Sequence, residues 1–265
     1  MKMKKLFAVI MAVLMVALCF SACGGSEAKV VVAEAGSAGE EVMNTDDYFA
    51  EFTKTPVDTQ AKALMEVSAG TADLAVIDYV MSIGSIGEGT DFANLKVLED
   101  TSFAPEEYGI AFRKGSDAVN YVNKAINELK ADGTLTEIAA KYKLQELLLG
   151  DGQFEEVTAE ESDWEYIVNK GKLVVGITYF APMNYEDENG ELVGFETEFA
   201  KAVGEKLGLE VEFQEIDWNA KETELASKNI DCIWNGMTIT EERAENMQIS
   251  IPYMENKQAV VVKAD

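Results

Sequence analysis

An α/β fold is what this chain predicts, on two observations. Apolar runs of four or five residues alternate with segments of helical period from one end to the other. A layout of helix, small or polar break, Asp, apolar strand and polar end also occurs twice, at Gly70 to Asp78 and at Ile230 to Trp234. That repetition suits two similarly built lobes, but any two β-α units resemble each other, so one large domain stays open. About 240 residues remain once an amino-terminal signal is removed, enough for either arrangement.

The elements follow in order. Lys2, Lys4 and Lys5 precede an unbroken apolar run from Leu6 to Phe20, which reads as a secretory signal spanning residues 1–22. At 15 residues the run is short for a permanent bilayer span. Phe20-Ser21-Ala22-Cys23 resembles the bacterial lipobox, with Phe in place of the usual Leu, so lipidation of Cys23 is expected. Signal cleavage beside an unmodified Cys23 is the alternative. The mature chain keeps Cys23 and Cys232, so no internal disulfide is expected and Cys232 should be a buried thiol in an apolar strand.

Lys29 to Ala33 reads as a strand that runs into Gly36-Ser37-Ala38-Gly39 and the acidic start Glu40-Glu41 of a helix. Pro56 suits an early helical position, with Val57, Ala61, Leu64 and Ser68 on one face up to Gly70. Leu74 to Ile77 is a buried strand ending at Asp78, and Tyr108 to Phe112 is another. Val119, Val122, Ile126 and Leu129 then stripe a helix stopped by Gly133. Thr134 and Glu137 give a capping-box pattern for a short helix that buries Leu135, Ile138, Ala139 and Tyr142. Residues 150 to 166, with Gly150, Gly152 and seven acidic side chains from Asp151 to Glu165, read as a solvated connector. Leu173 to Ile177 is a strand, and Phe195, Phe199, Ala202 and Val203 line a helix ended by Gly208. Val211 and Phe213 alternate in a strand, and a helix over Glu222 to Ser227 leads to the apolar strand Ile230 to Trp234.

Charge narrows the function. Removing the signal takes away three lysines and no acid, so the formal charge goes from −26 to −29. Such a chain repels polyanions, and no nucleic-acid partner is expected. With no His and no cysteine cluster, and nothing that spells a calcium loop, no metal and no cofactor are expected. The lack of His, of a Gly-x-Ser-x-Gly elbow and of an arguable carboxylate pair speaks against catalysis, so no catalytic residue is assigned.

Candidate polar groups fall at strand ends and first turns of helices, where open α/β sheets bind ligands. Gly36 to Gly39 could cradle a carboxylate through Ser37 Oγ and successive amides, or be a plain turn; it has neither dinucleotide nor phosphate-loop spacing. Asp78, directly after four apolar strand residues, is either a pocket wall able to hold an ammonium or a surface turn. Thr240 is the expected N-cap of a helix beginning at Glu241, which places Arg243 in its first turn. The guanidinium could grip a carboxylate bidentately or pair with Glu241, Glu242 or Glu245.

Several segments together carry a resemblance. Leu173 to Ile177 with Pro182, Gly194-Phe195-Glu196, Ile230-Asp231, Asn235 to Arg243 and Ser250-Ile251-Pro252-Tyr253 resemble the polar amino acid-binding proteins of ABC importers, family 3 of the extracellular solute-binding proteins. In the first half, Gly36-Ser37, Gly70 to Asp78, Tyr108 to Lys114 and Leu129 to Tyr142 resemble the same family. The order departs from it: the part resembling 168–265 usually comes first and the part resembling 29–143 second, so the chain looks circularly permuted, with residues 144–166 joining the old ends.

The resemblance implies a periplasmic-binding-protein-like type II fold of two α/β lobes around a ligand cleft. One lobe would comprise 28–107 plus 258–265 and the other 108–257. It also implies a site in which Arg243, Gly236 and Thr238 hold the head group of an amino acid, with Phe180 and Trp218 as aromatic walls. Ser37, Ala38 and Asp78 complete the clamp from the opposite lobe. Thr178 falls roughly where many relatives place an Asp beside the ammonium, and Glu34 where relatives inspect the distal part of the ligand. The implied role is capture of a free polar amino acid outside the cytoplasm by lobe closure and delivery to importer permease subunits. A monomer held at the membrane by lipid on Cys23 is expected. A basic ligand, Lys, Arg or ornithine, is the first alternative; a cyclohexadienyl-type dehydratase and a sensory amino acid-binding module are others.

Overall fold

The computed structural model describes residues 29–264 except 100 and 102. The signal, Cys23 and Asp265 lie outside the described residues. Nine α-helices among the described residues pack on two sheets, an α/β architecture of two lobes.

The first sheet holds β1 (Val30–Glu34), β2 (Thr53–Val57), β3 (Leu74–Asp78), β4 (Leu95–Val97), β5 (Pro105–Tyr108) and β13 (Met254–Lys263). Its path is β2-β1-β3-β13-β4, with β5 pairing the start of β13. The β1, β2 and β3 pairings are parallel, while β13 runs antiparallel to β3, β4 and β5. Parallel strands need crossovers, supplied by α1 (Ala38–Thr45) and α2 (Gln60–Ala69). A further helix, α3 (Tyr79–Ser85), follows β3 directly. The second sheet runs β10-β7-β11-β6-β12, from β10 (Glu210–Glu215), β7 (Lys172–Ile177), β11 (Cys232–Ile233), β6 (Ala111–Arg113) and β12 (Met247–Ile249). Around it lie α4 (Ala118–Ala131), α5 (Thr134–Lys141), α6 (Asp163–Lys170), α7 (Phe195–Leu207), α8 (Lys221–Ala226) and α9 (Glu241–Asn246). A hairpin of β8 (Tyr185–Glu186) and β9 (Leu192–Val193) completes this half.

The chain crosses between the sheets at two places, and these pair with each other. β5 lies antiparallel to the first residues of β13, with Met254 opposite Tyr108. This explains why Tyr108 to Phe112 is not one strand as expected. Tyr108 ends β5 in one sheet and Ala111 opens β6 in the other, with Gly109 and Ile110 between them. Gly109 has no space for a side chain, since a Cβ would stand 2.7 Å from Ile249 Cγ2.

Three other expectations are corrected. Pro56 belongs to strand β2, paired with Ala33 on the sheet edge, where its missing N–H does no harm. The following helix starts at Gln60, because Thr59 Oγ1 accepts the Lys62 N–H at 3.0 Å, so Val57 is not on its buried face. Thr134 does not form a capping box: Gly133 (φ +84°) is the N-cap and Asp132 Oδ1 takes the Thr134 N–H at 3.0 Å. The acidic connector is docked rather than merely solvated. Asn127 bonds both N–H and C=O of Gly152, Asn120 does the same at Val157, and Asp163 is buried against Arg113 at 2.9 Å. Cys232 is buried, as expected.

Both ends of the described chain leave the first sheet at the same end of its strands. Val31 pairs with Leu74 on one side of β3 and Val261 with Ala75 on the other, so β1 begins where β13 finishes, one strand apart.

Candidate functional site

The two sheets face each other across a cleft built from strand ends. β1 ends at Glu34, and the chain turns through Gly36 (φ +70°) into α1, whose N-cap is Ser37. Ser37 Oγ accepts the Glu40 N–H at 3.0 Å and donates to Glu34 O at 2.6 Å. The hydroxyl therefore serves the helix end. First-turn amides such as those of Ala38 and Gly39 have no intrahelical acceptor by helix geometry and are what this turn offers an anion.

Asp78 closes β3 and is buried. Its Oδ1 accepts from Asn256 Nδ2 at 2.6 Å and Gln258 Nε2 at 2.8 Å, and its Oδ2 from Gln60 Nε2. Burial holds its carboxyl above the usual range. Glu106 on β5 shares two of those donors: its Oε2 accepts from Asn256 at 2.9 Å, Gln258 at 3.0 Å and Thr238 Oγ1 at 3.0 Å. Burial, then the neighbouring Asp78, raises it too. Glu34 is only 4 % exposed, its Oε1 is without a hydrogen-bond partner, and burial, then Asp78, pushes it up to about 8. Desolvation wins at all three because neutral amides and a hydroxyl supply their hydrogen bonds. None stands within 4.0 Å of a lysine or arginine nitrogen among the described residues.

The cations come from the second lobe. Arg243, in the first turn of α9 behind the Thr240 cap, donates from Nη1 to Thr238 O at 2.7 Å and from Nη2 across the cleft to Gly36 O at 3.2 Å. It pairs with none of Glu241, Glu242 or Glu245. Lys221 reaches the same Gly36 carbonyl at 3.0 Å and the Trp218 carbonyl at 3.2 Å, with its ammonium 4.8 Å from the Trp218 ring centre. Burial, then Arg243, lowers it to about 8. A Cβ at Gly36 would stand 3.1 Å from Asn219 Oδ1, so the lobes touch here. They touch again at Gly84 of α3, where a Cβ would be 2.9 Å from the Pro182 ring.

Glu34, Ser37, Ala38, Gln60 and Asp78 on one side and Phe180, Trp218, Asn235, Gly236, Thr238 and Arg243 on the other close around a cavity of only about 10 Å³. That is about the space of one water, where small-ligand clefts start at roughly 300 Å³, so the cleft is shut and must part to admit a ligand. Trp218 Nε1 is buried without a partner at its wall. Gly236 (φ +55°) has no space for a Cβ, which would lie 2.6 Å from Phe180 Cζ. Its N–H is held by Glu196 at 2.9 and 3.0 Å, leaving the carbonyl for a ligand. Glu196 is fully buried, also accepts from Asn184 and Tyr253, and is raised to about 7 by burial.

Of the residues singled out in the sequence, Thr178 alone among the ligand candidates does not line this space. Its Oγ1 donates to Asn235 Oδ1 at 2.6 Å, and Asn235 Nδ2 donates back to Thr178 O at 2.8 Å. Thr178 thus orients Asn235, which does line it. Sequence reasoning passed over Gln60, Asn235, Lys221 and Glu106. Asn235 and Lys221 had a signal, being the strand-end and helix-start neighbours of Trp234 and Trp218. Glu106 had none.

Residues 173–265 match the family described as bacterial extracellular solute-binding proteins, family 3. The match covers about a third of the chain. Its curated relatives include the arginine-binding extracellular protein ArtP of Bacillus subtilis, 38% identical over 97 residues, which cover 36% of this chain and 38% of that one. The L-cystine-binding protein TcyJ of Escherichia coli K12 is 33% identical over 109 residues, 40% of this chain and 41% of that one. A glutamine-binding protein of Geobacillus stearothermophilus is 35% identical over 117 residues, 42% and 44% of the two chains. The chain thus spans about two fifths of the length of these relatives. Among solved structures, the arginine-bound form of domain 1 from TmArgBP is 34% identical, covering 37% of this chain and 84% of that one, with a TM-score of 0.33. The matched segment supplies Phe180, Trp218, Asn235, Gly236, Thr238 and Arg243, one whole wall of the pocket.

Proposed function

We propose that the chain captures a basic amino acid between its lobes, without chemically altering it, and hands it to an ABC importer. The observation that carries this is the charge inventory of one closed pocket. Arg243 offers a planar fork for the ligand carboxylate, backed by the first-turn amides of α1. Asp78 faces it from the other lobe and suits the α-ammonium. Glu34 is a further buried carboxylate with an unpartnered oxygen, placed for a distal cation. In the empty pocket burial favours the protonated carboxyls; in the bound form, with Glu34, Asp78 and the neighbouring Glu106 all ionised against Arg243 and the neighbouring Lys221, the site carries one net negative charge. A ligand of net charge +1 neutralises it and draws Glu34 into its ionised form, whereas a neutral amino acid leaves Glu34 protonated and gains no charge contact there. The arginine-binding relative agrees with this preference; the cystine- and glutamine-binding relatives supply the comparison ligands.

Because the clamp is divided between lobes, only the closed form satisfies both ends of the ligand, and closure is the signal the permease reads. The lobes are residues 28–107 plus 258–265 and residues 108–257. The two parts of the family run in swapped order in this chain, a reading supported by β1 starting and β13 finishing at one end of the sheet, one strand apart. The protein works outside the cytoplasm, tethered through lipid on Cys23. Calorimetric titration with L-arginine, L-lysine and L-glutamine tests the function: saturable binding that ranks the basic ligands first is expected, and preference for glutamine overturns the charge argument. A variant with residues 161–263 placed ahead of residues 29–160, which keeps the docked connector and α6, should fold and keep the same ranking; a molten product would refute the swapped order.

A further inference from the structure

We propose that Glu106 is a second carboxylate of the ammonium subsite, and that it shares with Asp78 one proton which leaves for solvent when a cationic ligand arrives. The inference rests on the functional reading above for the identity of that ligand.

The geometry is specific. Asn256 and Gln258 each have one amide nitrogen with two hydrogens, and each sends one to Asp78 Oδ1 and one to Glu106 Oε2. Two carboxylates thus stand on the same pair of neutral donors, and like charges so placed disfavour each other's ionisation. Gln258 is 2 % exposed and its Oε1 is without a partner, so this amide is committed to the pair at the expense of its own oxygen. The position also matters. Glu106 and Asn256 belong to the two paired crossing segments, Asp78 to the first lobe, and Thr238, which donates to Glu106 at 3.0 Å, to the second. One network therefore joins both lobes and the crossing strands.

The charged and titratable groups facing this pair are Glu34 on β1, Tyr108 at the end of β5, Glu196 on α7, Arg243 on α9 and Tyr253 just before β13. Only Arg243 is cationic. Its fork is turned to the Thr238 and Gly36 carbonyls. A ligand ammonium beside Asp78 supplies the missing charge, so both carboxylates ionise in the bound form: the O–H bond of the shared proton breaks, its electron pair stays on the carboxylate, and the proton goes to bulk water.

The sign for stability follows. Both carboxyls sit above their ordinary values of 3.8 and 4.5 in the folded chain, so their contribution is fully present below those values and is lost as pH rises through the folded ones. Glu106→Gln removes one of them.

The test has a ligand-free arm and a ligand arm. Without ligand, the melting midpoint of Glu106→Gln should gain on the parent by about 2 to 4 °C between pH 5 and pH 8.5. A constant difference across that range overturns the proposal. Should circular dichroism show Glu106→Gln unfolded, Asp78→Asn is read in the same way. With L-arginine, calorimetry in two buffers of different ionisation enthalpy should give about one more proton released by the parent than by Glu106→Gln, with parental affinity rising up to about tenfold per pH unit. Equal proton release by the two proteins refutes the pair. A parent that ignores L-arginine at every pH defeats the functional reading instead, and the melting arm still decides whether Glu106 and Asp78 share a proton.

Discussion

Replacing Arg243 by Met removes the pocket's carboxylate-facing charge while keeping most of the packing of its stem. Arg243 is 9 % exposed and its guanidinium makes two charge-assisted bonds, at 2.7 Å to Thr238 O and 3.2 Å to Gly36 O. Their loss in the free protein is offset by relief of its desolvation, which already lowers its proton affinity, so folding stability should change by about 1 kcal/mol or less. The ligand has no such relief. A carboxylate enclosed in the closed pocket without its cation is left charged and unpaired, a penalty of about 2 to 5 kcal/mol. That is roughly 30-fold to several thousand-fold in affinity. Arg243→Lys should fall between, because an ammonium cannot reproduce the two-pronged contact. Calorimetric titration with L-arginine, with circular dichroism to confirm folding, measures both quantities. A folded Arg243→Met that binds within about threefold of the parent would show that the guanidinium serves the Gly36 contact and not the ligand.

Three further outcomes are expected. Glu34→Gln should lower the preference for L-arginine over L-glutamine by about tenfold or more, read as a ratio of dissociation constants; an unchanged ratio means Glu34 does not read the distal cation. Gly236→Ala should cost about 1 to 3 kcal/mol in urea unfolding, since the new methyl would meet the Phe180 ring at 2.6 Å in a left-handed backbone, and an unchanged midpoint would contradict that packing. Cys232 should resist iodoacetamide in the native protein and react in denaturant, because its thiol is fully buried and held well above its ordinary value; stoichiometric native labelling of a chain beginning at Lys29 would refute this.

Much of the architecture was legible because it is written locally. Four apolar residues before Asp78, the glycine stops at Gly70 and Gly208 (φ +81° and +69°), and the Thr240 cap three residues before Arg243 each depend on neighbours in sequence. What escaped depends on approach between distant segments. Pro56 looks helical until β1 is beside it to make an edge strand. Tyr108 to Phe112 looks like one strand until the chain must pass from one sheet to the other. Thr134 loses its cap to Asp132, two residues away, since a side chain with the shorter reach wins the same N–H. At the site, Arg243 and Asp78 stood out through charge at an apolar strand end or helix start. Glu106 sits in an unremarkable Glu-Glu pair, and only the fold of β5 against β13 brings it to Asn256 and Gln258.

The pocket between the lobes is proposed to take an amino acid of net charge +1, with its head group between Arg243 and Asp78. Crystals or NMR spectra would locate a ligand, but one titration tests the claim most directly: L-arginine, L-lysine, L-glutamine and L-cystine added in turn to the folded protein at pH 7 in a calorimeter. The account predicts saturable one-to-one binding of L-arginine or L-lysine with a negative heat-capacity change, and weaker binding of the neutral pair. Tighter binding of L-glutamine or L-cystine, or no heat from any of the four, would contradict it.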